Sequence, residues 1–310
     1  MEVRKAIDAR AASLMTLLCM AWGFQQVAIK ATAADMPPIL QICVRSGIAA
    51  VLVWSLMRIR GERIAVREGL WRPGLVVGLL FALEFLFAGE GLRHTTASHM
   101  VVFLYTAPIF AALGLHWKLP SERLRSVQWI GVAIAFAGII TAFVGRSVQN
   151  SAAPSEIILG DVLALTGGFF WGATTVVIRT SRLSNAPAPE TLLYQLVAAF
   201  FVLLLAATGT GQAHARLTPL VLGCLAFQSF AVSFASFLAW YWLLRVYLAS
   251  RLGVLSFMTP LFGVAFGVWL LKEPVEVSFL AGAGLVVFGL ILVSGREWLE
   301  RKQAAAVIVD

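Results

Sequence analysis

The chain has 310 residues, 60% of them hydrophobic and only 13% charged, with a mean hydropathy of +0.86; soluble domains carry about one quarter charged residues, so this composition excludes one and reads as an integral membrane protein. The net charge of +8 does not indicate a nucleic-acid partner, because the basic residues sit in short loops between apolar runs, where orientation in a membrane accounts for them. Cys19, Cys43 and Cys224 all fall inside apolar runs, which excludes a disulfide framework and leaves them as small packing residues.

Apolar runs bounded by charge, Gly or Pro predict helices near 11–31, 39–57, 73–92, 98–118, 127–144, 158–179, 190–208, 218–243, 251–271 and 278–295. Each is close to the roughly 20 residues that cross a bilayer. All are read as helices, since an open sheet cannot satisfy its backbone in lipid. The N-terminus, MEVRKAIDAR followed by an apolar run and Ala31-Thr32-Ala33, has the look of a cleaved signal. Its apolar part exceeds a signal core of about 7 to 15 residues, so it is kept as the first helix. The expectation is an all-α protein of ten transmembrane helices with both termini on one side. If that side is the cytoplasm, 18 Lys and Arg lie inside and 5 outside, with Arg45 left within a helix. That split is a strong positive-inside signal.

The stretch Leu92–Leu119 occurs twice. Adding 152 takes Leu92-Arg93 to Leu244-Arg245, Ala97-Ser98 to Ala249-Ser250, Pro108 to Pro260, Phe110 to Phe262, Trp117 to Trp269 and Leu119 to Leu271. Trp22-Gly23 matches Trp171-Gly172 and Lys30 matches Arg179 at an offset of 149; Gly131 and Gly138 match Gly282 and Gly289 at 151. Five helices per half is an odd number, so the second half is turned over relative to the first. The predicted organisation is a first half at 1–145, a linker at 146–157 rich in Ser, Ala, Asn and Pro, an inverted second half at 158–296 and a cytoplasmic tail at 297–310. The two copies of the Leu92–Leu119 unit then form opposed gates, one turn outside at Arg93–Ser98 and the other inside at Arg245–Ser250.

These duplicated features together resemble the EamA family of the drug/metabolite transporter superfamily. The residues that carry the resemblance are the Trp-Gly pair, the Leu-Arg…Ala-Ser…Pro hairpin and the Gly-x6-Gly of each last helix, and it covers nearly the whole chain. The family's acidic residue after the fourth helix of a half fits Glu273 in Lys272-Glu273-Pro274, and fits Pro120-Ser121-Glu122 loosely. The resemblance implies a substrate cavity lined by helices 1, 3, 4, 6, 8 and 9, alternating access, and export of small metabolites, amino acids among them, as by an aromatic amino acid exporter.

Charged groups in the hydrocarbon region cost about 2.5 to 3.5 kcal/mol each on insertion scales, so they face a cavity or a partner. Glu84 lies eight residues before the end of the third helix, about 12 Å deep. It reads either as a cavity carboxylate binding a substrate ammonium or a coupling proton, or as a structural pair with another helix. Glu90, nearer the surface, reads as a rim residue. Arg45, whose counterpart by offset is Gln195, either clamps a carboxylate or acts as a structural charge tying the second helix to helix carbonyls or to Glu84. The flank position that the resemblance gives that helix favours the structural role. His99, one turn into the fourth helix, is a titrating cavity group or an interfacial residue.

Gln25, Gln26, Thr174, Gln228 and Ser229 supply uncharged polar groups to the predicted cavity, or else act as glue between helices. Trp22, Tyr105, Trp171, Trp240 and Trp242 supply the aromatics of a mostly apolar pocket. Trp54, Trp71, Trp129 and Trp298 read as interfacial anchors. Pro108 and Pro260 are candidate hinges, because proline removes a helix hydrogen bond and kinks the helix.

The four histidines show no metal spacing, and the chain carries no paired catalytic carboxylates, no nucleophile with its base and no phosphate loop, so neither an enzyme nor a cofactor is expected. The expected partners are a small-molecule substrate and the lipid bilayer, with the protein a monomer or weak dimer in a bacterial inner membrane. A zwitterion with an apolar side chain suits the polar set better than a phosphate, which needs several cations. Drugs, nucleosides or other organic metabolites are the alternative cargo. Without an ATP-binding motif, transport runs downhill or draws on an ion gradient.

Overall fold

A computed structural model describes residues 8–62, 69–120, 123–124, 126–144, 154–247, 252 and 255–307, and among them the regular structure is helical. Helix α1, Ala9–Ala31, begins two residues before the apolar run because the Asp8 carboxylate caps it, accepting from Ala11 N at 2.8 Å. Helix α2, Pro38–Ile59, and the later α8, Ala188–Gly209, both carry proline in the first turn, where its missing N–H costs nothing. Helix α3, Trp71–His94, runs to the turn at Thr95-Thr96.

The predicted helix 98–118 is two pieces, α4 at Ala97–Leu104 and α5 at Ala107–Lys118. The break falls at Tyr105-Thr106, because Pro108 has no N–H to return to the preceding turn. Pro108 therefore starts a helix rather than kinking the middle of one. Thr96 caps α4 by accepting from His99 N at 3.1 Å. Helix α6 spans Ser126–Val144 and α7 Pro154–Thr180.

The predicted helix 218–243 comprises α9, Pro219–Ala226, a wider π-helical segment, Phe227–Ser236, and α10, Phe237–Val246. Helix α11, Met258–Leu271, ends at Lys272, whose left-handed backbone (φ 54°) reverses the chain and turns Glu273 back toward the bundle. Helix α12 runs from Val277 to Val307, so the stretch expected to begin a tail at 297 continues as helix.

Among the described residues, and with Ala97–Lys118 and Pro219–Trp240 each taken as one continuous helical stretch, seven helices are long and apolar enough to cross a membrane, and three shorter apolar helices cover 126–142, 258–271 and 277–292. Trp54, Trp71 and Trp129 are 50%, 42% and 42% exposed, as interfacial anchors should be. The side chains of Trp298 and Arg245 lie outside the described residues, as do residues 248–250, which make up the rest of the predicted inner turn beyond 246 and 247.

Packing follows the duplicated residues. Helices α6 and α12 pack along their length, α2 packs on α8, α3 lies between α7 and α8, α1 packs on α11, and α5 packs on α7. The repeated glycines sit where backbones meet: a Cβ on Gly138 would lie 2.6 Å from the Gly282 carbonyl, and one on Gly289 would lie 2.5 Å from the Gly131 carbonyl. A Cβ on Gly23 would meet Phe262 Cβ at 3.1 Å, and one on Gly172 would meet Phe110 Cβ at 2.7 Å. Each Trp-Gly pair is thus packed against the proline-started helix of the other half. The central core gathers Ile29, Phe81, Phe85, Phe103 and Phe279 between these helices.

Candidate functional site

The interior of α2 and α3 carries two opposite charges. Glu84 is 4% exposed and Arg45 1%. The guanidinium lies over the Phe85 ring, 4.6 Å from its centroid. Among the described residues no ion pair within 4.0 Å joins Arg45 to Glu84, and Arg45 Nε, Arg45 Nη1 and Glu84 Oε2 have no hydrogen-bond partner. The structural tie expected of Arg45, to helix carbonyls or to Glu84, is therefore not made through those nitrogens. The aromatic face, rather than a carboxylate, sets the guanidinium's orientation.

The bundle also carries a belt of paired aromatic and uncharged polar groups. Trp22 Nε1 donates to Ser236 Oγ at 2.8 Å, and its ring meets Trp240 edge to face at 5.7 Å. Tyr105 meets Trp171 at 5.0 Å, nearly perpendicular. Gln228 Nε2 donates to Gln41 Oε1 at 3.0 Å, an oxygen that also accepts from Thr32 Oγ1. Gln228 Oε1 and Ser229 Oγ are buried without a hydrogen-bond partner.

The π segment explains this density of polar groups. Its wider turn brings Gln228, Ser229, Val232, Ser233 and Ser236 inward together, and such segments recur at functional sites. Gln25 and Gln26 are 5% and 4% exposed on α1, and Thr174 on α7 returns its hydroxyl to Phe170 O at 2.9 Å.

At the end of the bundle that holds the α3–α4 turn, polar contacts converge on residues 92–99. Glu273 accepts from Ala97 N at 2.7 Å, Ser98 N at 3.0 Å and Ser98 Oγ at 2.6 Å. Three donors at a helix N-terminus suit a carboxylate, which also meets the positive end of the helix dipole. Asp161 accepts from Thr95 Oγ1 at 2.5 Å and bonds His99 Nδ1 at 2.9 Å. Lys30 Nζ donates to Leu92 O at 2.5 Å and Thr95 O at 2.7 Å, closing the C-terminal carbonyls of α3. Glu90 pairs with Arg93 at 2.6 Å and accepts from Gln212 Nε2 at 3.1 Å, while His94 Nδ1 meets Glu156 at 2.5 Å. Helices α1, α7 and α11 are in this way latched to one turn.

The expected residues thus divide. Glu84, Gln25, Gln26, Tyr105, Thr174, Gln228 and Ser229 are buried groups of α1, α3, α7, the α4–α5 break and the segment from α9 to α10, and Trp22, Trp171 and Trp240 are partly buried on the same elements. His99 belongs to the latch instead, bonded to Asp161 and stacked at 4.0 Å on Phe279. Trp242 is 40% exposed beneath Arg10; two positions beyond Trp240, a helix has turned by about 200°, so the two cannot share a face. Pro260 is buried at the start of α11. Glu90 is a rim residue.

Sequence reasoning missed Asp161, an acid seven residues into α7 in an apolar run with no periodic signal, and Thr95 and Lys30, which reach backbone or a distant helix. It also missed Gln41, Ser236 and Thr259. A surface depression lined by Trp71, Arg72, Arg182 and Asn185 lies about 20 Å along α3 from Glu84 and takes no part in this arrangement.

Comparison with known proteins agrees with this architecture. The model of the EamA-like transporter family matches residues 9–144 and 158–295. The chain is 21% identical over 272 residues to the uncharacterized transporter YoaV of Bacillus subtilis, covering 87% of this chain and 92% of the relative. It is 24% identical over 303 residues to the uncharacterized inner membrane transporter YedA of Escherichia coli K12, covering 94% of each. A solved crystal structure superposes with a TM-score of 0.64 at 19% identity, covering 92% of this chain and 97% of the other, a likeness of fold.

Proposed function

The chain belongs to the EamA-like transporter family, and from that premise we propose that it is a secondary transporter of the inner membrane that exports small amphipathic metabolites, most favourably amino acids, by alternating access. The observation that carries this reading is the buried polar and aromatic belt at mid-helix depth, where Glu84, Gln25, Gln26, Gln228 and Ser229 face the interior of an otherwise apolar bundle. Lipid offers nothing to such groups, and a small polar cargo with an apolar side chain would take the place of water there. A phosphate needs several cations, whereas Arg45 is the one Lys or Arg among the described buried residues of α2 and α3.

Ten membrane helices in two inverted halves fit the packing. Gly131 meets Gly289 and Gly138 meets Gly282, so α6 and α12 run antiparallel, as equivalent helices of an inverted repeat do. The crossed contacts of Gly23 with Phe262 and of Gly172 with Phe110 are equivalents under the same exchange of halves. With both termini in the cytoplasm, the latched α3–α4 turn lies outside, and the structure corresponds to a state closed on that side. Its copy at Arg245–Ser250 is the inner gate, and rocking of the two hairpins alternately exposes the belt.

Proteoliposome counterflow with a panel of the twenty amino acids tests the reading. Accelerated uptake of at least one apolar or aromatic amino acid is expected; no uptake of any would overturn the substrate assignment. The Glu84 carboxylate, whose Oε2 lacks a hydrogen-bond partner, also favours, as a second reading, export of organic cations. In that case Glu84→Gln abolishes cation efflux while leaving neutral substrates unaffected.

A further inference from the structure

Most buried polar atoms in folded proteins have partners, so each exception calls for a cause. Arg45 Nε and Nη1 and Glu84 Oε2 are three such exceptions on adjacent helices. The guanidinium lies over Phe85, the residue next to Glu84, yet the two charges do not close into an ion pair among the described residues. Two opposite charges held apart in a low-dielectric interior leave both desolvation costs only partly offset. What keeps them apart is visible: the Phe85 ring holds the guanidinium face at 4.6 Å, and α3 is fixed against α7, where a Cβ on Gly167 would lie 3.2 Å from Glu84 O.

We propose that Arg45 and Glu84 are a split pair that binds the two charged ends of a zwitterion, the substrate carboxylate on the guanidinium and its ammonium on the Glu84 carboxylate. The inference rests on the export reading above and assigns to Arg45 a binding role in place of a structural one. It also accounts for specificity. An amine alone leaves Arg45 without an anion and an acid alone leaves Glu84 without a cation, and unpaired buried groups are the strongest means of rejecting a near-isostere. The side chain then falls toward the aromatic belt of Trp171 and Tyr105, which share one core with Phe85.

The test is counterflow of L-phenylalanine, with 2-phenylethylamine and 3-phenylpropionate as single-charge competitors, or the matched amine and acid of whichever amino acid the panel shows best. In the unaltered protein each competitor should be at least about 30-fold weaker than the zwitterion, the lower end for truncating one partner of a buried charge pair. Glu84→Gln should raise KM for the amino acid by about 30-fold or more and bring 3-phenylpropionate level with it; Arg45→Gln should do the same for 2-phenylethylamine. The double variant E84Q/R45Q leaves no lone buried charge, so it reports even if a single variant misfolds, and it should show no preference among the three. Unchanged KM and unchanged competition in the folded variants would overturn the pair's role while leaving export standing. No exchange of any amino acid by the unaltered protein would overturn the export reading, and this inference with it.

Discussion

Glu273 shows how much a single side chain organises. Its three bonds to Ala97 and Ser98 are charge-assisted, each worth about 1.5 to 3 kcal/mol. Glu273→Ala should free the α3–α4 turn, and a cysteine placed at Thr95, buried in the latch, should then react with an impermeant thiol reagent at least about tenfold faster. An unchanged rate would mean that the carboxylate does not hold the turn. The position of Glu273 after a duplicated helix was readable from the sequence, and so was the burial of Glu84, because depth along a helix follows from counting. The partners were not readable. Nothing in the run around Asp161 announces that it meets Thr95 and His99, since those contacts depend on how α7 lies against the turn. Trp240 and Trp242 make the same point: their helical phase, once the π segment has shifted it, decides which one faces inward.

At the level of the helices, the repeated glycines make the sharpest claim. Gly138 and Gly282 admit no side chain between α6 and α12, whereas Gly284, two residues on, has nothing within 4 Å of a built Cβ. Gly138→Ala or Gly282→Ala should therefore cost about 1 to 3 kcal/mol of stability through overpacking, seen as a lower Tm in detergent, while Gly284→Ala should leave Tm unchanged. Equal effects at all three would show that α6 and α12 do not meet along this seam. Apolar run lengths located α6 and the start of α12 to within one residue, but placed the end of α12 at 295 where the helix runs on to Val307. The breaks came out differently from expectation for local backbone reasons. Pro108 begins α5 after a gap at Tyr105-Thr106, and the π-helical stretch Phe227–Ser236 has no signature in hydropathy, because its spacing emerges only when neighbouring helices draw the serines and Gln228 inward.

Across the whole molecule, duplication at a near-constant offset pointed to two related halves, and the crossed packing of Gly23 with Phe262 and Gly172 with Phe110 is the physical form of that duplication. The proposed mechanism requires the end latched at the α3–α4 turn to open. In a chain whose own three cysteines are replaced by alanine, Thr95→Cys and Asp161→Cys place thiols where two oxygens now lie 2.5 Å apart, joining the α3–α4 turn to α7. Amino-acid counterflow in proteoliposomes, measured before oxidation, after it and after reduction, is decisive. Alternating access predicts that exchange is lost on crosslinking and restored by reduction. Exchange that continues at full rate in completely crosslinked protein would contradict it.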